Sequence, residues 1–290
     1  MEVTQVKLRK PGRYFKSQVS AFTCKLKKKK KNHCFRIFSF HFPTLHFFSM
    51  QLMYSEWMLE PPDDLVSDWL MMPCPVGRRN LVVASRGATK VYAKNGYQLM
   101  RFPSSLPGGC RQGDQRLSCI LDCIYSEVSK TFYVLDMMNW KSHPLYDSDT
   151  ECRWYLTQSH FSDNPEPRTV SKYNPYKFEP LPSCSCDPES IERMMTADMN
   201  VELDGLLFYH KRTHYTIGPT PLVLWLKPYM LQELFGVKVG EKHLQNVPSS
   251  YRNFQQHVNN VKDAKKKNLK TENGCRGDAG TAMETEITKS

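Results

Sequence analysis

The most constraining feature of this 290-residue chain is a series of short β-branched and aromatic runs joined by tight turn signals. Asn80–Ser85 reads Asn-Leu-Val-Val-Ala-Ser, the pattern of a buried strand. Between Val91 and Phe102 stands Asn95-Gly96, a dipeptide that tolerates the positive φ angles of a hairpin turn. Ile120–Glu127 and Thr131–Met138 flank Val128-Ser129-Lys130 as a second hairpin. Leu206–His210 and His214–Ile217 flank Lys211-Arg212-Thr213 as a third, and Leu222–Lys227 is a further strand. Helix signals are fewer. Asp187 is placed to cap a helix over Pro188–Met195, with Pro188 at its first position. Met50–Leu59 is a second helix candidate. Together these predict an α+β fold, largely antiparallel sheet with few helices.

Charge divides the chain into zones. The formal net charge is +11, from 40 Lys+Arg against 29 Asp+Glu. Residues 1–50 hold 12 basic residues and one acid, Glu2; residues 51–250 hold 20 and 23; residues 251–290 hold 8 and 5. The excess lies at the start, which excludes a uniformly basic nucleic-acid coat. Any RNA contact must come from a few placed cations. Residues 1–49, with the block Lys27 to Lys31, predict a disordered basic segment. Residues 50–240 predict a folded domain. Residues 241–290 predict a disordered polar tail, with Lys265-Lys266-Lys267 and too few large apolar residues to order itself. No run of about 20 apolar residues is present, so no membrane span is expected. Phe35 to Met50 is broken by His41, Pro43 and His46, unlike a signal peptide. The ten cysteines are scattered, and Cys184-Ser185-Cys186 has no second pair at zinc-ligand spacing. Reduced thiols, no metal and no cofactor are the expectation.

Few residues suggest chemistry. In Leu222–Lys227, period two puts three leucines on one face and Val223, Trp225 and Lys227 on the other. A Trp beside a Lys suits a stacked base with a nearby phosphate, but pattern alone favours a Trp packed against a second layer. Arg78 and Arg79 precede a strand. Their planar forks fit phosphate oxygens, and such a pair also occurs in solvated turns. Lys94, beside Asn95-Gly96, reads both ways too. Leu135-Asp136 ends a strand and Glu202-Leu203-Asp204-Gly205 begins one, where carboxylates bind metal, steer a base or cap a turn. His143, His160, His210 and His214 stand near no nucleophile at a recognisable spacing.

Blocks of this sequence, in order, resemble the snurportin family. They are Leu52-Met53-Tyr54-Ser55-Glu56-Trp57, Cys74-Pro75-Val76-Gly77, Val83-Ala84-Ser85-Arg86-Gly87, Leu106-Pro107-Gly108-Gly109, Ile120-Leu121-Asp122-Cys123-Ile124-Tyr125 and Tyr133-Val134-Leu135-Asp136. Asp204 to Lys211, Thr213-His214-Tyr215, Thr220-Pro221-Leu222-Val223, Trp225-Leu226 and Pro228-Tyr229-Met230 complete the match. It spans about residues 50–236. The resemblance implies an adaptor that binds the trimethylguanosine cap of spliceosomal small nuclear RNA and shuttles between cytoplasm and nucleus. It also implies a fold similar to the nucleotide-binding domain of RNA guanylyltransferases.

Those enzymes carry a lysine nucleophile in K-x-D-G-x-R. Laid over that pattern, Cys74 to Arg79 puts Cys74 at the lysine and Val76 at the aspartate, and keeps Gly77 and Arg79. The resemblance therefore implies binding without catalysis, since a thiol does not replace the phosphoramide chemistry of an amine. It assigns the stacking role to Trp225 and cap contacts to Ser55, Trp57, Cys74, Arg78, Arg79, Asn80 and Lys94. It makes importin β and an exportin the implied partners. Residues 1–49 do not resemble the family's importin-β-binding helix, so they read as an alternative segment with a lysine block. The competing readings are an active nucleotidyltransferase using Lys90 or Lys94, and a nuclear scaffold that binds only proteins.

Overall fold

The structure, a computed structural model, describes residues 51–197, 199, 201–245 and 247–274. The segment 1–49 and the last residues of the expected tail lie outside them. The strands are β1 (Met53–Trp57), β2 (Trp69–Pro75), β3 (Arg78–Ser85), β4 (Ala88–Tyr92), β5 (Gln98–Phe102), β6 (Ser118–Ser126), β7 (Thr131–Trp140), β8 (His143–Pro144), β9 (Lys177–Pro180), β10 (Cys184–Ser185), β11 (Leu203–His210) and β12 (Gly218–Leu226). The helices are α1 (Leu65–Asp68), α2 (Thr150–Asp163), α3 (Pro188–Thr196), α4 (Leu231–Phe235) and α5 (Phe254–Gly274). None among the described residues is long and apolar enough to cross a membrane.

The strands form two sheets. The first has the order β1-β12-β11-β2-β10; the second runs β5-β4-β3-β6-β7-β8, with β9 added on β7. Pairing is antiparallel except for β1 on β12 and β9 on β7, so the fold is α+β and mostly antiparallel, as expected.

Alternation along each strand feeds three apolar layers. Leu207 and Tyr209 of β11 meet Leu81 and Val83 of β3 in the layer that both sheets share. Leu206 and Phe208 point the other way, toward Ile191 and Met195 of α3 and Leu231 of α4. Val82 and Ala84 of β3 back onto Phe132, Phe178 and Phe161 of α2. In β12 the same rule puts Leu224 and Leu226 in the helix-covered layer and Val223 and Trp225 in the shared one.

The Asn95-Gly96 turn closes with φ +83° at Gly96 and an Ala93 N to Tyr97 O hydrogen bond of 2.8 Å. Asp187 caps α3 by accepting from Ser190 N at 2.9 Å. Four expectations are corrected. Met50–Leu59 does not form a helix; its core is strand β1. His214–Ile217 is not a strand, and β12 begins at Gly218 after a longer connection. Asp136 stands in the middle of β7 rather than at its end. Part of the tail is ordered, because α5 lies within it.

Candidate functional site

Four strands of the first sheet carry Trp57, Trp225, Gly205 and Cys74, in two pairs: Trp225 faces Trp57 on one side and Leu207 on the other, and the Gly205–Cys74 pair lies two residues away along β11. Trp57 is the register partner of Trp225 on the parallel pair β1–β12. Gly205 is the register partner of Cys74 on β11–β2. The indole of Trp225 crosses β11 where Gly205 has no side chain: a Cβ there would stand 2.1 Å from Cζ2 and 2.3 Å from Cη2. Trp225 is half-buried, resting on the shared core. Lys227 Nζ lies 5.7 Å from the Trp225 ring centroid. It is tied to Asp204, donating to Oδ1 at 2.6 Å and to the backbone O at 2.8 Å. The predicted Trp–Lys neighbourhood therefore exists, with the cation already paired.

Cys74 is 6 % exposed. Burial pushes its thiol up to about 12, with Arg79 pulling the other way. It stays protonated and is a poor nucleophile. The turn after it depends on Gly77, where a Cβ would stand 2.5 Å from Tyr125 O of β6.

Arg78 and Arg79 do not act as a unit, because neighbours on a strand face opposite ways. Arg79 reaches into the shared layer. Its Nε and Nη2 donate to Asp122 Oδ1 at 3.0 Å and Oδ2 at 2.7 Å, and Nη2 also donates to Met53 O at 2.7 Å. Burial works against the guanidinium, but Asp122 outweighs it and holds the pKa well above the ordinary arginine value. Tyr215 Oη donates to Asp122 Oδ2 at 2.8 Å and accepts from Met53 N at 3.1 Å. Arg78 is exposed and paired with Glu127. Asn80, on the same side of β3 as Arg78, is 1 % exposed and donates to Tyr92 O at 3.4 Å. That side is the outer layer of the second sheet, away from Trp225.

Tyr54 brings two cations to the shared layer. Lys94 Nζ stands 4.4 Å and Arg79 Cζ 5.5 Å from its ring centroid, distances suited to cation–π attraction. Burial raises the Tyr54 pKa, and its hydroxyl has no protein partner. Ser55 is half-buried opposite Thr220, at a break in register after which Glu56 faces Leu224. Lys90, the other candidate nucleophile, faces Val83 and Arg101 within its sheet.

Trp225, Cys74 and Arg79 thus share the layer between the sheets, with Lys94 joined through Tyr54; Trp57 is the strand neighbour of Trp225 but its ring packs on the helix-covered layer, Ser55 stands on the same strand, and Arg78 and Asn80 face elsewhere. Asp122, Tyr54 and Tyr215 were not singled out from the sequence. An aspartate inside the apolar run Ile120–Ile124 was the available signal, since such a charge is rarely buried without a partner.

The arrangement defines an α+β domain that presents a half-exposed indole between two sheets, with cations at one side, a shape suited to a flat base and its phosphates. Residues 51–228 match the family described as Snurportin1, m3G cap-binding domain. The chain belongs to this family. Similar solved structures include a mycobacterial DNA ligase D complexed with ATP and MES, at 12% identity over 60% of this chain and 58% of that one, TM-score 0.41. Another is the ligase domain of LigD from M. tuberculosis, at 12% identity over 63% of this chain and 60% of that one, TM-score 0.41. The chain spans about three fifths of the length of those structures.

Proposed function

We propose that this protein binds the trimethylguanosine cap of small nuclear RNA without reacting with it, as an adaptor for nuclear import of spliceosomal ribonucleoproteins. The observation that carries the reading is a half-exposed Trp225, strand neighbour of Trp57, within the matched residues 51–228. A guanine methylated at N7 is cationic, so an indole face adds a cation–π contribution to stacking. Two methyl groups at N2 remove donors and add apolar surface, which an aromatic wall such as Trp57 meets at little desolvation cost. Lys94, beside Tyr54, supplies a cation for the triphosphate bridge.

Cys74 supports binding in place of catalysis. Its thiol occupies the position that the enzyme pattern gives to lysine, and it is buried and protonated. Shuttling between cytoplasm and nucleus, with importin β and an exportin as transport partners, is supported by the family likeness alone.

The test is a titration of the full chain with trimethylguanosine and N7-monomethylguanosine cap analogues, followed by tryptophan fluorescence. Tighter binding of the trimethyl cap is expected. Equal or absent affinity for the two caps overturns the reading.

A further inference from the structure

Helix α5 lies beyond the residues of the family match and within a region expected to be structureless, yet it is attached to the edge of the first sheet at defined points. Phe254 N donates to Glu233 Oε2 at 2.7 Å, and Tyr251 Oη donates to Glu233 Oε1 at 2.9 Å, which fixes the start of the helix. Val258 is 3 % exposed. About two turns further on, Lys265 Nζ pairs with Glu56 Oε2 at 2.8 Å. Between these anchors His257 meets Trp57 edge-on, with ring centroids 4.4 Å apart and an interplanar angle of 66°. The His257 Nε2 is buried and has no protein hydrogen-bond partner.

We propose that His257 is a positioning residue for Trp57, and that α5 thereby sets the selectivity of the site for guanine carrying methyl groups at N2. The inference rests on the cap-binding reading above. Among the described residues, Trp57 sits on the edge strand β1, with a neighbouring strand on one side. Its ring rests on the helix-covered layer, with His257 against it edge-on, and Lys265–Glu56 holds the helix against the same strand. A wall fixed before binding costs the ligand no ordering entropy. The benefit falls on the N2 methyl groups, the part of the cap that needs an apolar wall. N7-monomethylguanosine has only an amine there and gains little. Stacking on Trp225 and the phosphate contacts use other residues, so they are unaffected.

The experiment compares the affinity ratio for trimethyl over N7-monomethyl cap analogues in the full-length protein and three variants. His257→Ala should lower the ratio about fivefold, the order expected for losing one aromatic pair, with monomethyl affinity nearly unchanged. His257→Phe should keep it. Lys265→Glu, at an exposed position, sets two like charges against each other and should lower the ratio without disturbing the core. An unchanged ratio in both His257→Ala and Lys265→Glu overturns the proposal. So does an equal loss for both caps, which a purely structural role predicts. A wild-type protein that binds neither cap overturns the cap reading itself, and is told apart because no ratio then exists to change.

Discussion

Asp122 and Asp136 are register partners on β6 and β7, both fully buried, and each is clamped by its own arginine. Arg79 takes Asp122; Arg153 takes Asp136 through Nε at 2.8 Å and Nη2 at 2.9 Å. Burial raises the Asp136 pKa, with Arg153 opposing and Asp122 adding to it. Two like charges directly opposite each other are destabilising in a sheet, so each pair makes the other tolerable. Neither carboxylate has the free oxygens that a metal site needs.

The neighbouring arginines should therefore differ sharply on substitution. Asp122→Asn leaves the Arg79 guanidinium largely buried without its counter-ion and should cost about 3 kcal/mol of folding stability. Arg78→Ala breaks an exposed pair and should cost less than about 1 kcal/mol. Urea unfolding followed by circular dichroism measures both. Equal costs would show that the Arg79 clamp contributes no more than a surface ion pair.

Gly205→Ala puts a methyl group where the Trp225 ring lies. The backbone of β11 is paired on both sides, so the indole has to move. Overpacking of this kind costs about 1–3 kcal/mol, and Trp225→Ala should cost cap binding about 1–3 kcal/mol, the worth of one stacked base. Gly205→Ala should weaken cap binding by displacing the ring while leaving Trp225 present, with a shift in tryptophan emission. Retained affinity with unshifted emission would mean that the ring does not use that space.

Thiol alkylation at pH 7.5, resolved by peptide mass mapping, should modify Cys152 and spare Cys74. Cys152 is exposed, whereas Cys74 is buried with its thiol pushed up to about 12. Incubation with labelled GTP and magnesium should likewise give no covalent protein–GMP band. Such a band would restore the nucleotidyltransferase reading, with Lys90 or Lys94 as its nucleophile.

Four histidines set a pH dependence. His160, His210, His243 and His257 are each lowered chiefly by burial, with Lys141 adding to this at His160 and Lys242 at His243. The unfolded chain takes up these protons near pH 6.5 and the folded one resists them until lower pH. Their contribution is fully present above about pH 6.5 and is lost as pH falls through the lowered folded values. Thermal unfolding at pH 7.5 and 5.5 should show a lower Tm at 5.5. A Tm that rises on acidification contradicts this.

What could be read from the sequence was what neighbouring residues decide. Asn95-Gly96 and Asp187-Pro188 carry their turn and cap within a few positions, so both appeared where expected. Helix α2 escaped because its buried positions are Thr150, Arg153, Trp154, Thr157 and Phe161. The spacing is helical, but three of the five are polar and Arg153 is charged, so no apolar stripe shows. β1 read as a helix because its partner β12 is remote and its apolar residues suit either period. α5 read as structureless because much of what holds it, Glu233, Glu56 and Trp57, is contributed from outside the helix.

The site was legible through type and order of residues, and its geometry was not. Trp225, Cys74 and Lys94 stood out as single residues. That Arg78 and Arg79 part company follows from strand alternation once β3 is known to begin at Arg78. That Arg79 is committed to Asp122 follows only from the pairing of β3 with β6.

The parallel seam between β1 and β12 also sets a schedule. Met53 and Tyr215, joined by a hydrogen bond beside that seam, are 162 residues apart in the chain. At a synthesis rate of about 5–20 residues per second, β1 leaves the ribosome about 10–30 seconds before β12, its sheet neighbour among the described residues, is made. The second sheet, whose hairpins close locally, has time to form first. Trp57 therefore waits as an unpaired edge in the nascent protein, and the seam that sets it beside Trp225 is among the last parts of the domain to form.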